Sequence, residues 1–253
     1  MAGHSHSSNI KFRKDRVDQK RAKAFAKLSR MITVAARLGG GSLDGNARLR
    51  LAVDKARLLS MPKDAIDRAI KKGTGEGDLG NYEEVVYEGY GPGGVALMLE
   101  ILTDNRHRTA ADVRMVMEKF GGNLGTTGSV AWMFERLGRF VLATSGAGAP
   151  DAEQWLEVVV EVGADDLQID GEVVTILCRQ AAFAEVHQAL QARGVPLREA
   201  GLAYVPNQRT AVADVDVAGR LVRMIDGLED NDDVQTVFSN EDFPDDVVRA
   251  LEA

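Results

Sequence analysis

Cations crowd one end of this chain. Lys11, Arg13, Lys14, Lys20, Arg21, Lys23, Lys27 and Arg30 fall within twenty residues, and Arg48, Arg50, Lys55 and Arg57 follow as a second group. Side chains of this type at this density grip phosphates, and each phosphate neutralised releases counterions and makes binding salt-dependent. Up to Gly75 there are 18 Lys and Arg against 6 Asp and Glu, a balance of +12; the remainder carries 13 against 32, a balance of −19. The whole-chain value of −7 conceals this split. A polyanion would meet one end and be repelled by the other, so the segregation points to an oriented contact with nucleic acid. The plainer reading is a solvated basic helical surface.

A second group of polar residues stands before an expected helix. Asn105, Arg106 and Arg108 could hold a phosphate with the free N–H groups of that helix start; a polar loop with solvated arginines is the alternative. Other constellations carry less. Gly89, Gly91 and Gly94 satisfy G-x-G-x-x-G, but a strand follows where a dinucleotide site needs a helix, so a tight hairpin around Pro92 is expected. His4 and His6 sit on an arm, His107 and His187 are isolated, and Cys178 ends an apolar strand without a neighbouring base. Asp226, Glu229, Asp230, Asp232 and Asp233 lack the spacing of a calcium loop; they read as a solubilising surface or one that repels nucleic acid. No triad or convergent acid–base pair is visible. No metal, no cofactor and no enzymatic activity are expected.

The elements that position these residues follow from periodicity. Asp15 to Leu38 reads as a helix with Phe25, Leu28, Ile32 and Ala35 on one stripe and Lys20, Lys23, Lys27, Arg30 and Arg37 opposite; Arg21 falls on the apolar side. Gly39-Gly40-Gly41 ends it. A second helix over Ala47–Ser60 and a third from Pro62 to Gly73 complete a helical unit. Lys71 and Lys72 lie in a last turn, where the helix dipole favours cations with or without a ligand.

After a glycine-rich link at 73–81 the pattern becomes mixed. Val85–Tyr87 and Val95–Leu102 read as strands, and Thr109 with Asp112 as a capping-box-like start of a helix to Phe120. Ser129–Phe134 and Arg139–Ala143 read as strands around a turn at Gly138. Residues 151–205 repeat helix, hairpin, helix and strand, and the helix 215–228 with the strand 235–238 has no sheet of its own. That pair completes the unit at 83–134 if the middle block is an insertion. The expectation is an α+β chain of three domains: residues 1–80, helical and basic; 81–138 with 207–253; and an inserted unit at 139–206, the last two ferredoxin-like.

The 45% hydrophobic content supports real cores, and no run of about 18 apolar residues could cross a bilayer, so no membrane partner is expected. A basic, polar start without an apolar core is no secretory signal, and a single cysteine fits a reducing compartment. The cytoplasm is the expected location.

As strings, the segments resemble the YebC/PmpR family. The resemblance is carried by Met1-Ala2-Gly3-His4-Ser5, Ile32-Thr33-Val34-Ala35-Ala36-Arg37, Arg48 to Ala56, Met61-Pro62-Lys63-Asp64 and Ile66 to Gly73. Tyr87-Glu88-Gly89-Tyr90-Gly91-Pro92-Gly93-Gly94 is its most distinctive block, followed by Thr103-Asp104-Asn105-Arg106 and Gly121 to Gly125. Where family members commonly carry Lys-Trp after the opening Ser, this chain has His6 and Ser7, with Phe12 nearby. The resemblance implies the three-domain fold and a regulatory role described in two ways: a DNA-binding transcriptional regulator, or a translation factor acting on ribosomes, including at stalled proline-rich stretches. Its partners would be duplex DNA or ribosomal RNA, with the acidic domains free to contact a protein. Discrete duplex sites would mark the first role, ribosome co-sedimentation the second, and turnover an enzyme.

Overall fold

The structure is a computed structural model and describes residues 21–75, 82–143, 152–170 and 173–252. Three helices form the first unit. α1 (Arg21–Gly39) buries Leu28, Ile32, Ala35 and Ala36 along the stripe its spacing dictates. It stops where Gly40 takes φ +83° and donates to the Ala36 carbonyl at 2.8 Å. α2 (Ala47–Leu58) starts on Asn46, whose side chain accepts from the Leu49 N–H at 2.9 Å. The Asn46 amide also donates to the carbonyls of Ala35 and Gly40, both at 2.8 Å, so one buried side chain ties the end of α1 to the start of α2. α3 (Lys63–Thr74) crosses α1 so closely that a Cβ at Gly73 would lie 2.3 Å from the Thr33 carbonyl oxygen. Both later helices pack chiefly on α1.

β1 (Glu83–Tyr90) and β2 (Ala96–Thr103) form a hairpin over a helical turn at Pro92–Gly94, with strands on both sides of the glycines. α4 (Arg106–Lys119) and the short β3 (Asn123–Leu124) follow. The chain then leaves for a second sheet: β4 (Phe134–Ala143), α5 (Ala152–Glu161), β5 (Asp166–Asp170), β6 (Val173–Arg179), α6 (Phe183–Ala192) and β7 (Leu197–Pro206). Its strands are antiparallel in the order β5-β6-β4-β7, the ferredoxin-like arrangement of a βαββαβ chain. Phe140, Leu142, Ile176, Trp155, Val159 and Leu190 fill the space between this sheet and its helices.

The chain returns through β8 (Thr210–Ala211), α7 (Val215–Glu229), β9 (Val234–Ser239), β10 (Glu241–Asp242) and α8 (Asp245–Glu252). β9 docks beside β2, giving the order β3-β1-β2-β9, and β8 pairs with β10. Leu97, Leu99 and Ile101 point at Val113 and Met117 of α4 and at Leu221 and Leu228 of α7. The opposite row, Ala96 and Met98, meets Phe134, Ala203 and Phe238 and joins the two sheets. The helical unit, the split sandwich and the inserted sandwich are therefore in contact, as Leu51 of α2 packs on the inserted core.

Two local expectations are corrected. Residues 129–143 do not form two strands turned at Gly138: one strand runs through it from Phe134, so the second sheet takes in residues before 139. A Cβ at Gly138 would lie 2.6 Å from Cys178 Sγ and 2.8 Å from the Phe183 ring; glycine serves close packing there. The helix expected to start at Thr109 starts at Arg106, because Asn105 caps it and accepts from the Arg108 N–H at 3.1 Å.

Candidate nucleic-acid interface

Lys23, Lys27 and Arg30 share one row of α1, three and four residues apart. The row faces the end of α7 and the loop into β9. Lys23 Nζ lies 3.2 Å from Asp230 Oδ1, Lys27 Nζ donates to the Glu229 carbonyl at 2.5 Å, and Arg30 Nη1 donates to the Asp232 carbonyl at 2.9 Å and to Asp233 Oδ1 at 2.8 Å. The acidic group read as a solvated or repelling surface thus clasps the basic helix. Part of the segregated charge is paired inside the molecule.

Asp233 is the centre of that clasp. It is 6% exposed, and its Oδ2 accepts from Arg108 Nη2 at 2.7 Å, Thr109 Oγ1 at 2.7 Å and Thr103 Oγ1 at 3.1 Å. Burial pushes this carboxyl up, but the hydrogen bonds from Arg108, Thr109 and Thr103 outweigh it and hold it below the usual range. At the start of α4, where Asn105, Arg106 and Arg108 could hold a phosphate or form a solvated polar loop, this carboxylate takes Arg108 instead. Asn105 is the cap, Arg108 also pairs with Asp104 at 2.8 Å, and Arg106 faces Glu83 at 3.6 Å.

The second basic group is also engaged. Arg48 pairs with Glu84, Arg57 with Asp54 at 3.3 Å, and Arg50 donates to the carbonyls of Leu43 and Asp44, both at 3.0 Å. Lys55 lies close enough to Glu100 to lower its pKa, as does Arg136, yet burial dominates and leaves that carboxyl raised. The exposed pairs of Arg48 and Arg57 are worth little in water and are open to exchange for a phosphate. Lys11, Arg13, Lys14 and Lys20 lie outside the described residues, as does the side chain of Arg21.

In the helical unit, α3 carries four exposed cations that have no ion pair among the described residues: Lys63, Arg68, Lys71 and Lys72. Between α3 and α1 lies a cleft of about 510 Å³ lined by Ser29, Arg30, Thr33, Arg68, Lys72 and Tyr82. The Arg30 guanidinium stands 5.6 Å from the centre of the Tyr82 ring, on its face. Charge counting did not single out Lys63, Arg68 or Tyr82. The i, i+4 spacing of Arg68 and Lys72 was their only signal.

Comparison with known proteins decides the family. The model of the TACO1/YebC protein N-terminal domain matches residues 5–76, and that of the TACO1/YebC second and third domain matches 82–241. The chain belongs to the TACO1/YebC family. A probable transcriptional regulatory protein of Halothermothrix orenii is 47% identical over 251 residues, covering 99% of both chains. The transcriptional regulatory protein PmpR of Pseudomonas aeruginosa is 50% identical over 252 residues, covering 99% of this chain and all of its own. A crystal structure of a conserved hypothetical protein, Aq1575 from Aquifex aeolicus, superposes with a TM-score of 0.81 at 42% identity, over 90% of this chain and 93% of that one.

Within this TACO1/YebC chain the N-terminal family domain holds α1, α2 and α3, and with them the four α3 cations and most of the cleft. The other chemistry-bearing groups are packed away. Cys178 is buried, and that burial pushes its thiol up to about 11. His187 packs beside the mutually stacked core rings of Phe140 and Phe183, where burial lowers its pKa. Among the described residues no three His, Cys, Asp or Glu side chains converge as metal ligands, and no helix is long and apolar enough to cross a membrane.

Proposed function

We propose that this protein is a non-enzymatic regulator of gene expression that binds nucleic acid through its helical domain, with duplex DNA at promoters as its target. One observation carries the reading: α3 exposes four cations with no ion pair among the described residues, in a helical domain whose other described basic groups are largely engaged with acids or carbonyls. The names of the relatives as transcriptional regulatory proteins favour DNA. Phosphates would be gripped by Lys63, Arg68, Lys71 and Lys72, with the exposed Arg48 and Arg57 exchanging their acidic partners. The N-terminal cations from Lys11 to Lys20 would extend the grip.

A second reading has its own support. α2 and α3 pack chiefly on α1, so they do not present the paired helices from which a recognition helix enters a major groove. Backbone contact without base readout suits a translation factor on ribosomal RNA as well as a DNA regulator. The distinguishing experiment is crosslinking in growing cells with sequencing of both DNA and RNA. Promoter peaks lost on neutralising Lys63, Arg68, Lys71 and Lys72 support the first reading; reads concentrated in ribosomal RNA and lost in the same variant support the second. Recovery of either class undiminished by that variant refutes the α3 face.

A further inference from the structure

We propose that the cleft between α1 and α3 is a binding site for one nucleoside phosphate unit, held by its phosphate on Arg68 and Lys72 and by its base against Tyr82. This rests on the reading that the helical domain binds nucleic acid, and it assigns that binding a specific pocket. Arg68 and Lys72 stand one turn apart on α3, so their Cβ atoms are about 6 Å from each other, a span two cations can close on a single phosphate. Neither has an ion pair among the described residues, so no acid among these need be displaced. Ser29 and Thr33 face them from α1 in the same cleft. Thr33 already donates to the Ala69 carbonyl at 3.1 Å, which leaves Ser29 as the hydroxyl for a sugar or phosphate oxygen.

Tyr82 supplies what a phosphate site alone would lack. Its ring is partly buried at the cleft and carries the Arg30 guanidinium on one face. Arg30 is in turn fixed by Asp232 and Asp233, so the ring has a rigid cationic neighbour. An aromatic beside two cations, in a cleft of about 510 Å³, matches the size and chemistry of a nucleotide. The same unit exists free in solution and as one link of a single strand.

The test uses the full chain, a labelled ten-nucleotide single strand containing bromouridine, and adenosine monophosphate. Tyr82→Ala and the double variant Arg68→Gln/Lys72→Gln each weaken strand binding about tenfold, the loss of one stack or one phosphate contact. Tyr82→Phe keeps wild-type affinity, and irradiation links bromouridine to Tyr82. Micromolar binding of the mononucleotide with the same sensitivities identifies the free nucleotide as occupant; much tighter binding of the strand identifies the strand. Strand binding that ignores Tyr82, Arg68 and Lys72 but falls with Lys63→Glu/Lys71→Glu overturns the cleft and leaves the nucleic-acid reading standing. Binding of the mononucleotide alone, with no affinity for that strand or for the duplex made from it, keeps the cleft and overturns that reading. Failure of wild-type protein to bind either overturns the cleft.

Discussion

Removing the Asp233 carboxylate should loosen the helical domain from the rest of the molecule. Four side chains donate to it: Arg30 at 2.8 Å, Arg108 and Thr109 at 2.7 Å, and Thr103 at 3.1 Å. Hydrogen bonds to a charged group contribute about 1.5–3 kcal/mol each, but the sum overstates the loss. Arg30 and Arg108 can turn to water, and Thr109 keeps the Asn105 carbonyl at 3.1 Å. Asp233→Ala should therefore cost about 3 kcal/mol, and Asp233→Asn, which keeps one acceptor but turns an amide N–H toward an arginine, about 2 kcal/mol. Hydrogen exchange is the assay. At pH 7, the amides of α1 and of residues 229–234 should exchange about a hundredfold faster in Asp233→Ala, the factor that ~3 kcal/mol allows, while the core of the inserted sandwich is unchanged. The sign of the pH dependence follows from a depressed folded pKa. The contribution is complete above the unfolded carboxyl value of about 3.9 and disappears as pH falls through the lower folded value, so wild type and Asp233→Asn should converge in acid. Unchanged exchange in α1 would refute the clasp.

Other perturbations test the scaffold. Asn46→Ala removes a helix cap and the donor to two carbonyls at once, and should lower stability by about 2–3 kcal/mol in urea unfolding. Gly73→Ala would place a methyl 2.3 Å from the Thr33 carbonyl oxygen and 2.8 Å from the Ala36 Cβ; pushing α3 off α1 should cost about 2–3 kcal/mol, read as a lower melting temperature. Glu88 is 5% exposed and accepts from the N–H groups of Gly128, Val130 and Ala131 at 2.7–2.9 Å. Burial raises its carboxyl, yet those three bonds prevail and depress it. Glu88→Gln should then destabilise by about 1.5 kcal/mol at neutral pH, a difference that closes as pH falls through the folded pKa, seen in paired acid titrations.

Much of the architecture was legible because it is local. The helical stripe of Leu28, Ile32 and Ala35, the hairpin over Gly91 to Gly94 and the helix–hairpin–helix pattern of the inserted unit all express periodicities of 3.6 or 2 within a few residues. Errors fell where one residue type serves two purposes. Gly138 reads as a turn but is a glycine because Cys178 and Phe183 approach it from another strand and a helix. Thr109 reads as a cap but spends its hydroxyl on a carboxylate 124 residues away.

The candidate site divides along the same line. That one end of the chain is basic, and that its helices expose their cations on one side, is a property of covalent order and helical pitch, and needs no tertiary contact. Which of those cations remain available to a phosphate is decided by residues distant in sequence. Arg30 meets Asp233 across 203 positions, and Arg48 meets Glu84 across 36. Coulomb attraction depends on distance in space, which folding creates between groups whose sequence separation carries no information about it. The same folding leaves Arg68 and Lys72 without an ion pair among the described residues and brings Tyr82 to the same cleft, an assembly from three segments that no spacing along the chain could announce.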